Sequence, residues 1–83
     1  MNSQNVSAFR RELALAYTHL FNSDPDYAFA KARTTPEALA EKMVNGLMDG
    51  SANKDGKGIK SVCKTLDIPY TYKAIKNYLT IAA

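Results

Sequence analysis

The sequence predicts an all-α domain, a compact bundle of four or five short helices whose C-terminal two form a helix-turn-helix-like pair. Three observations carry that prediction. Apolar residues recur at steps of three and four along most of the chain, which lays them on single helical faces. Pro25 directly follows Asp24 and Pro36 directly follows Thr35, so these prolines open helices and do not interrupt them. No stretch of useful length alternates apolar with polar residues as a half-buried strand does. At 83 residues the chain has room for one domain, residues 1–83, with no internal repeat and no long linker.

The first helix is expected over residues 5–21. Val6, Phe9, Leu13, Tyr17 and Leu20 form its apolar stripe, and Arg10, Arg11 and Glu12 fall outside it. Ser3 or Asn5 can cap its start. Asn22-Ser23-Asp24-Pro25 ends it, and Asp24-Pro25 reads as the cap and first residue of a short second helix reaching Lys31, with Tyr27 and Phe29 on it. Thr35-Pro36-Glu37 is the strongest start signal in the chain. Threonine caps, proline lacks only an N–H that has no helical partner there, and glutamate sits at the positive end of the helix dipole. Leu39, Met43, Val44, Leu47 and Met48 follow as the apolar stripe, and Gly50 suits the left-handed position that ends helices. After a polar loop, Ser51 to Lys57, the fourth helix presents Ile59, Val62, Cys63 and Leu66 to the core. The fifth presents Tyr72, Ile75, Leu79 and Ala82. The first and third helices are the expected scaffold.

Composition narrows the class. Hydrophobic residues make up 46% of the chain, enough for a small core and too many for a disordered segment. Domains this short bury a small share of their surface, so a homodimer is an accessible source of stability, using apolar residues left over on the first or third helix. A single cysteine excludes an intramolecular disulfide and a multi-cysteine zinc site. The start, Met1 to Asn5, has neither the charge nor the apolar run of a secretory signal, and no apolar run is long enough to span a membrane. A cytoplasmic protein with no membrane partner is expected. The net charge of +3 is mild, but it is segregated. Residues 1–50 hold five basic and six acidic side chains, a balance of −1; residues 51–83 hold six lysines against Asp55 and Asp67, a balance of +4.

The basic end also carries a motif. Val62-Cys63-Lys64-Thr65-Leu66-Asp67-Ile68 resembles the first helix and turn of a helix-turn-helix, with small Cys63, then apolar Leu66, a turn residue and apolar Ile68. The resemblance spans roughly Ile59 to Leu79, about a quarter of the chain, and is to small helix-turn-helix proteins of phages or other mobile elements. Asp67 stands where the motif usually has glycine, and the spacing from Ile68 to the next apolar helical positions is short. The resemblance implies a first helix braced on the DNA backbone and a second in the major groove. Lys57, Lys60 and Lys64, at i, i+3 and i+7, then line the fourth helix for phosphates. Tyr70, Thr71, Lys73, Lys76, Asn77 and Thr80 lie off the apolar stripe of the fifth helix; its lysines take phosphates, while Asn77 or Thr71 reaches base edges. Tyrosines among lysines can also stack single-stranded bases; Tyr72 and Tyr78 are expected to be partly core, and Tyr70, after Pro69, to be exposed.

The expected function is nucleic-acid binding, duplex DNA favoured, in a regulatory role. Two readings compete. The lysines can simply solvate two amphipathic helices. Alternatively the chain is a protein-interaction module, such as a small phage-type adaptor or inhibitor of a host protein, using Tyr27, Phe29 and Tyr70. Catalysis is not expected. His19, the sole histidine, lacks a second ligand at metal spacing, Cys63 lies on an apolar face, and the acids Asp24, Asp26, Glu37, Glu41 and Asp49 form no evident pair. Ser51 to Gly56 has oxygen side chains before a glycine, yet Ser51 and Val62 would occupy the first and twelfth positions of a calcium loop. No metal and no cofactor are expected.

Overall fold

α1 (Ser3–Ser23) is 21 residues long, about 31 Å at the helical rise, and so accounts for most of the 36 Å long axis of the molecule. The computed structural model describes residues 2–51 and 56–81, and every regular element among them is helical. A 3₁₀ turn (Pro25–Tyr27) leads into α2 (Ala28–Arg33), followed by α3 (Pro36–Asp49), α4 (Gly58–Leu66) and α5 (Tyr72–Thr80). α3 makes the most extensive contact with α1. α4 packs on α1 as well, and α5 packs against both α3 and α1. The first and third helices are thus the scaffold, as the sequence predicts. No helix among the described residues is long and apolar enough to cross a membrane.

The helix boundaries follow local capping chemistry. Asp24 accepts from the Asp26 N–H at 2.9 Å and Thr35 from the Ala38 N–H at 3.1 Å, each with proline at the next position. Gly50 ends α3 in the left-handed region at φ 81°. The second helix divides into the 3₁₀ turn and α2, and runs to Arg33, two residues beyond Lys31. At α1 the cap is Asn2, not Ser3 or Asn5. Its side-chain oxygen accepts from the Asn5 N–H at 3.1 Å. Asn5 is used elsewhere: its Nδ2 donates to the Tyr78 carbonyl at 2.9 Å, beside a bond from the Asn2 N–H to the Leu79 carbonyl at 3.1 Å. Two carbonyls that the last turn of α5 cannot satisfy are taken up this way.

Val6, Phe9, Leu13 and Tyr17 are buried, but the stripe continues through Phe21, and Leu20 is only half-buried. Phe21 is drawn in by an aromatic cluster with Tyr17 and Tyr27, whose ring centroids are 5.9–6.1 Å apart. α3 turns slightly from its expected face as well. Ala40, Val44, Gly46 and Leu47 are buried, while Leu39, Met43 and Met48 are half-buried. Small Ala40 and Gly46 thus occupy part of the buried face, and the larger Leu39, Met43 and Met48 lie at its rim. Ile59, Val62 and Cys63 of α4, Ile68 of the following turn, and Ile75 and Leu79 of α5 complete the core. Leu66 and Tyr72 pack at its edge, and Ala82 lies outside the described residues.

Candidate nucleic-acid interface

α4 begins at a charge cluster. The Lys57 ammonium donates to Asp24 Oδ2 at 2.5 Å and to Asp26 Oδ2 at 2.8 Å, which ties the start of α4 to the 3₁₀ turn after α1. The bond from Lys57, followed by the Asp26 N–H, holds the Asp24 carboxyl below the usual carboxylate range. Lys57 therefore has its charge matched by two neighbours and stands apart from the lysines with which the sequence groups it. Lys60 and Lys64, one turn apart on α4, are exposed and make no ion pair among the described residues.

The turn after α4 works without glycine. Asp67 adopts φ 57° and ψ 47°, the left-handed conformation, and the Ile68 N–H donates back to the Cys63 carbonyl at 2.8 Å. That six-to-one bond, with Ile68 buried in the same core as Cys63, is the Schellman arrangement. Aspartate is among the few side chains that tolerate this backbone region. The short spacing after Ile68 turns out to be a connection over residues 67–71. The Thr71 N–H donates to the Pro69 carbonyl at 2.8 Å, and the Thr71 hydroxyl oxygen caps α5 by accepting from the Ala74 N–H at 3.1 Å. Tyr70 is not exposed as expected. Pro69 is the outward residue here, and the chain on either side turns inward, leaving Tyr70 half-buried against the core.

α5 presents Lys73, Lys76, Asn77 and Thr80, spaced i, i+3, i+4 and i+7, on one exposed face. With Pro69, Thr71 and Tyr72 they line a shallow depression. The Lys76 ammonium lies 5.9 Å from the Tyr72 ring centroid. It also adds to the hydrogen bonds from Ser51 that hold the Asp49 carboxyl down. The Thr80 hydroxyl donates to the Lys76 carbonyl at 2.8 Å. Tyr72 anchors the helix start, donating its hydroxyl to the Leu47 carbonyl of α3 at 3.2 Å.

The structure thus brings together Thr71, Lys73, Lys76 and Asn77, sets Lys60 and Lys64 on a second helix, pairs Lys57 with Asp24 and Asp26, and half-buries Tyr70. α4 is braced on α1, and α5 on α3 and α1. Sequence reasoning misses the acids that shape this charge: Asp24 and Asp26 beside Lys57, and Asp49 near Lys76. The capping role of Asp24 was legible but its pairing was not, since the Lys57 partners are 33 and 31 residues away.

Of the other candidates, His19 is exposed and Cys63 is buried at 2% exposure. Among the described residues no three histidine, cysteine, aspartate or glutamate side chains gather where a metal ion could be held. No buried side-chain nitrogen or oxygen among them lacks a hydrogen bond. No protein-family model matches the chain, and no curated protein or solved structure is significantly similar to it.

Proposed function

We propose that this protein binds nucleic acid, duplex DNA foremost, through the outward face of α5, with Lys60 and Lys64 of α4 as flanking phosphate contacts. The observation that carries this reading is the charge of the two helices. Neither α4 nor α5 contains an acidic residue, and together they expose Lys60, Lys64, Lys73 and Lys76. α5 is a nine-residue helix, and a helix with its side chains is about 10–12 Å across, which a major groove roughly 12 Å wide admits. Asn77 lies between the two lysines and Thr80 on that face and has the donor and acceptor needed for an adenine edge.

Four phosphate contacts give a salt slope of about −3.6, or roughly a hundredfold loss of affinity between about 50 and 200 mM salt. Replacing Lys73 and Lys76 together by alanine is expected to weaken duplex binding and to reduce that slope by about 1.8. Titration of a fluorescent duplex at several salt concentrations measures both. An unchanged affinity and slope in the double variant would remove α5 from the interface.

One observation favours a protein partner instead. Phe29 on α2 is 69% exposed, and the Arg33 guanidinium lies 4.1 Å over its ring. Exposed aromatic and arginine side chains are the usual anchors of protein interfaces. Tyr27 and Tyr70, expected to join it, are half-buried against the core, so Phe29 stands without them. Phe29→Ala is expected to leave the duplex salt slope unaltered, because α2 is not part of the proposed face.

A further inference from the structure

The outward stripe of α1 carries one large apolar side chain, Leu15, at 60% exposure. Leu15 stands on the lip of a groove between α1 and α3. Arg10 and Arg11 line the α1 wall, and Glu37 and Glu41 line the α3 wall. Opposite charges share this groove, yet no ion pair among the described residues joins its walls. Arg11 makes only a loose contact, 3.9 Å, to its own neighbour Glu12.

We propose that this groove is the interface between two copies of the chain, related by a two-fold axis. In an isologous contact a patch meets itself, so it must hold both members of every pair it makes. This patch does. Leu15 of each copy meets the other near the axis, and Arg10 and Arg11 of each copy face Glu37 and Glu41 of its mate. Charge selects a second copy over other occupants. A basic partner meets two arginines in the groove, and an acidic partner meets two glutamates; only a surface with the same two walls in reverse order satisfies all four. An exposed leucine beside these charges supplies apolar surface for such a contact to bury. The interface uses none of Lys60, Lys64, Lys73 or Lys76, so it stands or falls independently of nucleic-acid binding.

Sedimentation equilibrium of the full chain without nucleic acid tests it. Wild type is expected to form a dimer as concentration rises. Arg10→Glu/Arg11→Glu makes both walls acidic, and Glu37→Lys/Glu41→Lys makes both walls basic. Each variant alone is expected to associate at least about tenfold more weakly than wild type. An equimolar mixture of the two is expected to recover a dimer, now of one acidic and one basic copy. That recovery also shows that both variants fold, which circular dichroism checks separately. Leu15→Glu is expected to be monomeric. A wild-type chain that stays monomeric at the highest concentration overturns the proposal, as do charge variants that dimerise alone as well as wild type. A mixture that remains monomeric while both variants are folded overturns it too.

Discussion

Asp67 holds a backbone conformation that side chains disfavour, and it is the only non-glycine residue with positive φ among those described. For an ordinary residue the left-handed region costs roughly 1–2 kcal/mol, less for aspartate and asparagine. Asp67→Val is accordingly expected to lower the melting temperature by about 4–8 °C for each ~1 kcal/mol lost. Asp67→Asn should leave it unchanged within a few degrees. The two variants also separate conformation from charge. Asp67 is the one acid between residues 58 and 81. Removing its charge while keeping its backbone should tighten duplex binding at low salt. If Asp67→Asn melts like wild type but binds duplex no better, phosphates do not pass near this turn. The residue also explains a difficulty in reading the motif. Aspartate in place of glycine looks like a departure, yet what the turn requires is a residue that tolerates positive φ, and aspartate does.

Element starts and stops were legible because capping is local. Asp24-Pro25, Thr35-Pro36 and Gly50 each act within a few residues, and each does what the sequence predicts. Element faces were legible in period but shifted at their edges, because Phe21 gained aromatic neighbours and small Ala40 and Gly46 share the buried face of α3. Which lysines have matched charge was not legible, since it depends on contacts between elements. Lys57 is the clearest case, and it gives a pH dependence. The folded Asp24 carboxyl is depressed, so its contribution is present above the unfolded value near ~3.9 and is lost as pH falls through the folded one. The Lys57 ammonium is raised by the Asp24 and Asp26 carboxylates, so its contribution is present below ~10.4 and is lost only at still higher pH. Between these limits the link from α4 to the 3₁₀ turn is constant. Lys57→Ala is therefore expected to melt below wild type by a fixed gap from about pH 5 to 9, narrowing in strong acid as the Asp24 carboxylate protonates. Thermal melts across that range read the gap directly. A gap that persists at about pH 2 would mean that the lysine stem, and not its charge, does the stabilising.

At the scale of the whole molecule, period, proline placement and the lack of strand alternation were enough for the all-α class, but nothing local reveals how α5 is held. The Tyr72 hydroxyl fixes its first turn to the end of α3 through the Leu47 carbonyl. Asn5 and Asn2 fix its last turn to the start of α1 through the carbonyls of Tyr78 and Leu79. The Asn5–Tyr78 bond spans 73 residues, a separation at which sequence pattern carries no signal. Held at both ends, α5 can tilt only by breaking a hydrogen bond, and so it presents Lys73, Lys76 and Asn77 in a fixed orientation. Asn5→Ala tests this without touching the charge of that face. Losing one partly buried hydrogen bond costs about 0.5–1.5 kcal/mol, and the loss falls on local opening of α5 before it affects the scaffold. Amides of α5 are expected to exchange faster with solvent, with those in the middle of α1 and α3 changing less. If orientation matters for the proposed interface, duplex affinity should fall while the salt slope stays the same, because the number of phosphate contacts depends on the lysines and the fit depends on the tilt. Unchanged exchange in α5 would show that the asparagine bonds do not hold the helix. Faster exchange with unchanged affinity would show that the lysines act as a mobile charge and not as a positioned face.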